Sequence, residues 1–197
     1  MRPKTALKAI VTSDEYARGS VTGGFPARRL DAEVLDDTIC ALSDSKRDYQ
    51  SPAPEPFSFL PKDRPTVCIE DGSISNGFLT LFGRPARDTG LQDERGTAVT
   101  AKQRLYLFNS GRLHGLLGRV AQPGGWKNNP LTKLPIAGRV EDMYWRVLSR
   151  APTPKERDRV LALWKKRGGW KKGAKAYELM RDLAWCLVNT KEFIFRV

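Results

Sequence analysis

Arg84, Arg87 and Arg95 share one short stretch, GRPARDTGLQDER, with Asp88 and Glu94, and Gln103 follows closely. Two carboxylates can act as an acid/base pair when one holds a proton and the other does not. Planar guanidinium groups beside them clamp phosphate, sulfate or carboxylate through paired hydrogen bonds. Asp88 and Glu94 are thus the catalytic candidates for a hydrolase. Arg84, Arg87, Arg95 and Gln103 are the candidates for holding an anion. The same residues have a structural reading, which is preferred. Arginine–carboxylate pairs lock a long loop onto a helix, and buried charge persists when it is paired and hydrogen-bonded.

A second cluster runs from Trp164 to Lys175, WKKRGGWKKGAK. Trp164 and Trp170 alternate with Lys165, Lys166, Lys171 and Lys172. Indole stacks on bases or sugars while lysine neutralises phosphate, sulfate or carboxylate. The structural alternative is a helix end and a helix start joined at Gly168-Gly169, with indoles inward and lysines solvated. No helix-turn-helix or RNA-binding signature accompanies the patch, so sequence-specific reading of nucleic acid is weakly supported. Trp126-Lys127-Asn128-Asn129 reads as a surface loop with one anchoring aromatic.

Other chemistries lack their residues. Cys40, Cys68 and Cys186 form no CxxC pair, and the one histidine, His114, stands near no cysteine or carboxylate cluster. A zinc site, a haem attachment and a serine triad in its usual form have no support, so no metal or cofactor is expected. Cys40 and Cys186 fall in apolar helical patterns and are expected in the core.

The elements that position these residues read as mostly α. Helices are expected at about 5–12, 28–42, 101–119, 137–149, 154–167 and 172–189. Thr100-Ala-Lys-Gln103 and Thr153-Pro154-Lys155-Glu156 are capping boxes, the second with proline at the first helical position. Between Ser51 and Pro65 stand five prolines, which exclude regular helix or a central strand. Phe57, Phe59 and Leu60 are expected to pin this irregular, ordered arm to the core. Thr66 to Ile69 is the one candidate edge strand.

The 197 residues suit one domain with a real core, and the apolar and charged fractions, 40% and 28%, exclude wholesale disorder. The formal net charge is +12. It is uneven: residues 101–197 hold 21 of the 34 basic and 7 of the 22 acidic residues, whereas residues 1–100 carry −2. Such a charge suits an anionic partner. No apolar run approaches the roughly 20 residues that span a bilayer, and no export signal is legible.

Several segments together carry a family resemblance: AIVTSDEYARGS, RRLDAEVLDDTICALS, SPAPEPFSFLP, DGSISNGFLTLFGRPARDTGLQDER, TAKQRLYLFNS and DLAWCLVNTKEFIFRV. In this order, from about Ala9 to Phe195, the chain resembles the uncharacterised C-terminal domain of planctomycete-type surface proteins. That domain usually follows a second uncharacterised domain, often with a planctomycete-type cytochrome c domain. The resemblance implies the back portion of a larger, exported architecture. It implies an interaction or assembly role toward an upstream domain or an anionic glycan, with no established activity to carry over. The chain departs from the family at Gly96-Thr97-Ala98-Val99, where NNRP is frequent. It has Leu91 and Asp93 where one branch has cysteines, and Tyr106 and Arg112 where histidines are frequent. Thiol or imidazole chemistry at those positions is therefore not expected here.

Overall fold

A computed structural model of the chain describes residues 3–14, 27–85, 94–121, 134–168 and 173–196. It is mostly helical, with one two-stranded edge. Helix α1 is Pro3–Val11, strand β1 is Arg28–Arg29, α2 is Ala32–Ser43 and α3 is Gly77–Leu81. Then follow α4 (Ala101–Asn109), α5 (Gly111–Ala121), α6 (Ile136–Leu148), α7 (Pro154–Lys166), α8 (Gly173–Val188), α9 (Lys191–Ile194) and β2 (Phe195–Arg196).

The core forms around α8, whose buried face is Ala176, Leu179, Met180, Leu183, Ala184, Leu187 and Val188. Their spacing of three and four residues gives one apolar stripe. Helices α5 and α6 pack on α8, α7 contacts it, and α2 packs on α5. Leu113 and Leu117 from α5 and Val140, Met143 and Val147 from α6 join the cluster, which runs on to Leu35 and Ile39 of α2 and Phe78 and Leu79 of α3. The approach of α5 to α8 is close. A Cβ at Gly118 would lie 2.7 Å from the Tyr177 hydroxyl oxygen.

Both capping boxes form. Thr100 accepts from the Gln103 N–H at 3.3 Å and Thr153 accepts from the Glu156 N–H at 3.3 Å, with each N3 side chain returning the bond. Four helices, expected at 5–12, 137–149, 154–167 and 172–189, fall within two residues of the observed bounds at each end.

Two expected helices differ. The one expected at 28–42 begins at Ala32, because Arg28–Arg29 pairs antiparallel with Phe195–Arg196 and the Leu30 N–H reaches the Ile194 carbonyl at 2.9 Å. The one expected at 101–119 is two helices. Ser110 breaks it with an extended backbone, ψ 117°, and its hydroxyl caps the second helix by accepting from the Leu113 N–H at 3.2 Å.

The Pro-rich arm is tied by polar bonds, not by its aromatics. Gln50 and Ser75 exchange backbone bonds of 2.8 Å, Tyr49 donates to the Arg64 carbonyl at 2.9 Å, and Ser58 donates to Asp71 at 3.1 Å. Phe57, Phe59 and Leu60 are 83%, 65% and 48% exposed, contrary to their expected pinning role. Thr66–Cys68 is a 3-10 turn, not an edge strand, because the Asp37 carboxylate accepts from the Thr66 and Val67 N–H groups at 2.8 and 3.0 Å. Cys40 is buried as expected; Cys186, on the outer side of α8, is exposed.

Candidate functional site

Helix α2 carries Glu33, Asp36 and Asp37 at spacings that put carboxylates on neighbouring turns. Glu33 and Asp36 are buried, at 5% and 2% exposure. Each acid holds a different piece of chain.

Glu33 is the counter-ion of the arginine motif. Its Oε1 lies 3.4 Å from Arg84 Nε, and its Oε2 accepts from Arg95 Nη1 at 2.8 Å. Arg84 spends its remaining reach on backbone, donating to the Ile74 carbonyl at 2.9 Å and the Ile69 carbonyl at 3.3 Å. Burial alone would raise the pKa of the Glu33 carboxyl. The hydrogen bond from Arg95 and the charges of Arg95 and Arg84 outweigh it and hold the group below its ordinary value. The Glu33 bond in turn holds the Arg95 guanidinium firmly charged.

The turn that brings Arg84 and Arg95 together depends on glycine. Gly83 has φ +88°, and the Gly96 N–H donates to its carbonyl at 3.0 Å. Arg29 closes the turn from β1. Its Nη2 donates to the Phe82 carbonyl at 2.8 Å and the Gly96 carbonyl at 2.6 Å, while its guanidinium lies 5.6 Å from the Phe82 ring centre. Gln103 ties the next helix to the same place, donating to the Leu81 carbonyl at 3.0 Å.

A cleft of about 280 Å³ adjoins this lock, lined by Asp31, Glu33, Glu70, Arg84 and Arg95 among others. Both oxygens of Glu33 are engaged and its pKa is lowered, so its part here is a counter-ion and not a proton carrier. Arg84, Arg95 and Gln103 are thus brought together. Glu94 lies exposed beside them, and Arg87 and Asp88 fall outside the described residues. So do Leu91 and Asp93. Glu33 and Arg29 were not candidates in sequence. Its burial and its two arginine partners set Glu33 apart.

Asp36 is held less tightly. Thr66 Oγ1, Asn76 Nδ2 and Arg112 Nη2 stand at 3.4, 3.5 and 4.0 Å. Burial pushes its pKa up, against the pull of Arg112. Asp37 is the opposite case. Burial would raise it, but the Thr66 and Val67 N–H groups and Arg47, 2.5 Å away, bring it below the ordinary range.

In the second cluster, Trp164 is buried, 5% exposed, while Lys165 and Lys166 are exposed at the end of α7. Its indole is packed in the core and offers no face for stacking. Trp170, Lys171 and Lys172 lie outside the described residues, as do Trp126 to Asn129. Among the described residues, no group of three His, Cys, Asp or Glu side chains could hold a metal ion, and no helix is long and apolar enough to cross a membrane.

Comparison with known proteins gives one family. No curated protein and no solved structure matches the chain. A family model described as "PSD1: Protein of unknown function (DUF1553)" matches residues 1–164, which include α2, the arginine motif and most of α7. The chain belongs to this uncharacterised family, DUF1553.

Proposed function

We propose that the chain is a non-enzymatic interaction and assembly domain of a planctomycete-type surface protein, docking on an upstream domain of the same architecture. The observation that carries this reading is the presentation of Phe57, Phe59 and Leu60. Three large apolar side chains project into solvent, at 83%, 65% and 48% exposure. They do so from backbone held by the Tyr49, Ser58 and Gln50 bonds. Apolar groups on a held backbone gain from burial against a partner, and less loop ordering is set against that gain. An anionic glycan is the second class of ligand, favoured by the +12 net charge.

Arg84 and Arg95 of the motif are engaged by Glu33, which supports a structural lock over an anion clamp. The burial of Trp164 supports docking over a stacked nucleic-acid platform. The deciding experiment is a pull-down with upstream family domains, comparing the native chain with Phe57→Ser/Phe59→Ser. Capture that depends on these two residues is the expected result. Turnover in a hydrolase screen that disappears in Asp88→Asn or Glu94→Gln would replace this reading with an enzymatic one.

A further inference from the structure

Among the described residues, a second surface is left uncovered along α7 and α8. Helices α7, α8 and α9, with residues of α5 and α6, line a groove of about 740 Å³. Its floor is aliphatic: Leu163, 49% exposed, and the half-buried Leu148 open onto it, above Val160, Leu179, Leu183 and Leu187, which are buried in the core. One wall is aromatic. Trp185 lies 5.5 Å from the Phe108 ring and 6.3 Å from His114, stacked on the latter.

Charge is unevenly placed along this groove. At one end Arg150 holds both Glu156 and Glu192, with contacts of 2.6 to 3.0 Å. The other lining charges are Arg159, Arg167 and Arg181 against one carboxylate, Asp182. Asp182 is shared, 2.9 Å from Arg167 and 3.7 Å from Arg181. Lys165 and Lys166 add exposed positive charge at the same end of α7.

We propose that this groove binds an acidic amphipathic helix of a protein partner. This deepens the docking reading and rests on it. An apolar stripe at i, i+3, i+4 and i+7 fits the aliphatic floor, and carboxylates beside the stripe meet the arginines. Other occupants fit less well. A phosphate backbone would use the arginines and leave the leucines bare. A glycan would use Trp185 and the lining charges but set its hydroxyls against the leucines of the floor. Helix α1 of a second copy has an exposed apolar face at Leu7, Ile10 and Val11, but it carries Lys4 and Lys8 and no acid.

The test is fluorescence anisotropy of the full chain with a labelled model peptide, leucines on the i, i+3, i+4, i+7 stripe and glutamates elsewhere. The expected result is saturable binding that weakens as salt is added. Arg159→Glu and Leu163→Asp should each weaken it about tenfold or more. Both side chains are exposed, and circular dichroism melts of the variants check that they remain folded. The proposal is overturned if the peptide fails to bind, if a lysine-for-glutamate version binds equally well, or if both variants bind like the native chain. Preferential binding of a sulfated polysaccharide or a single-stranded oligonucleotide also overturns it. Failure here with Phe57/Phe59-dependent capture intact sinks only the groove; loss of both sinks the docking reading itself.

Discussion

Glu33 on α2 accepts from Arg95 at 2.8 Å across 62 residues of chain. With Arg84 on its other oxygen, this one carboxylate fastens both ends of the arginine motif to a helix that lies far upstream. Glu33→Gln therefore leaves the Arg84 guanidinium, only 5% exposed, without its counter-charge. The expected loss is about 3 kcal/mol, since removing one partner strands a buried charge. Arg95→Gln, at a site 23% exposed, is expected to cost less than about 1 kcal/mol. Urea unfolding of the two variants checks the order. Equal losses would mean that burial does not set the strength of the lock.

The same turn predicts an intolerance at Gly83. Its φ of +88° disfavours any side chain, and a Cβ there would collide with the Gly96 carbonyl group. Gly83→Ala should cost more than about 2 kcal/mol, combining left-handed strain with displacement of the Gly96 backbone. Gly111→Ala, where a Cβ meets nothing within 4 Å, serves as the matched control.

Stability against pH should separate the acids of α2. The raised pKa of Asp36 means that its contribution is fully present below the unfolded value, about 3.9, and is lost as pH rises through the folded value. The lowered values of Glu33 and Asp37 act in the opposite sense. Their stabilisation is present above the unfolded value, about 4, and is lost as pH falls through the folded one. The groups facing Asp36 are Arg112, Asn76, Thr66 and Asp37. Asp36→Asn should therefore be more stable relative to the native chain at pH 7 than at pH 4. Chemical denaturation at the two pH values gives the answer, and an unchanged difference would refute it.

In the groove beside α7, hydrogen bonds from Arg150 hold the Glu156 carboxyl down to about 2. Its contribution persists above the unfolded value of about 4.3 and fades as pH falls toward 2. In Arg150→Gln the carboxyl should titrate closer to its ordinary value, as read by NMR of its carbon. Thr153→Ala, which removes the cap of α7, should cost about 1 kcal/mol in a thermal melt.

Local features were legible from the residues alone. A capping box spans three residues, so Thr100 with Gln103 and Thr153 with Glu156 announce their helices wherever those helices pack. The apolar stripe from Ala176 to Val188 likewise declares a core helix, because its period belongs to the helix itself. Five prolines between Ser51 and Pro65 forbid regular structure in any context. The GRPARDTGLQDER stretch pointed to a lock between arginine and carboxylate, and to a family.

Which carboxylate closes the lock was decided only by the fold. Glu33 stands far from Arg84 and Arg95 in sequence, and its role depends on α2, Gly83 and Arg29 meeting at one place. The arm's aromatics illustrate the same limit. Phe57 and Phe59 look like core residues by type, yet hydrogen bonds of Tyr49, Gln50 and Ser58 fix the arm and leave the rings in solvent. The strand pair joining Arg28–Arg29 to Phe195–Arg196 has no local signal either. Sequence determines what a segment does with its own neighbours, through bonds a few residues long. Tertiary structure decides which charges and surfaces meet, because that depends on where the whole chain brings them.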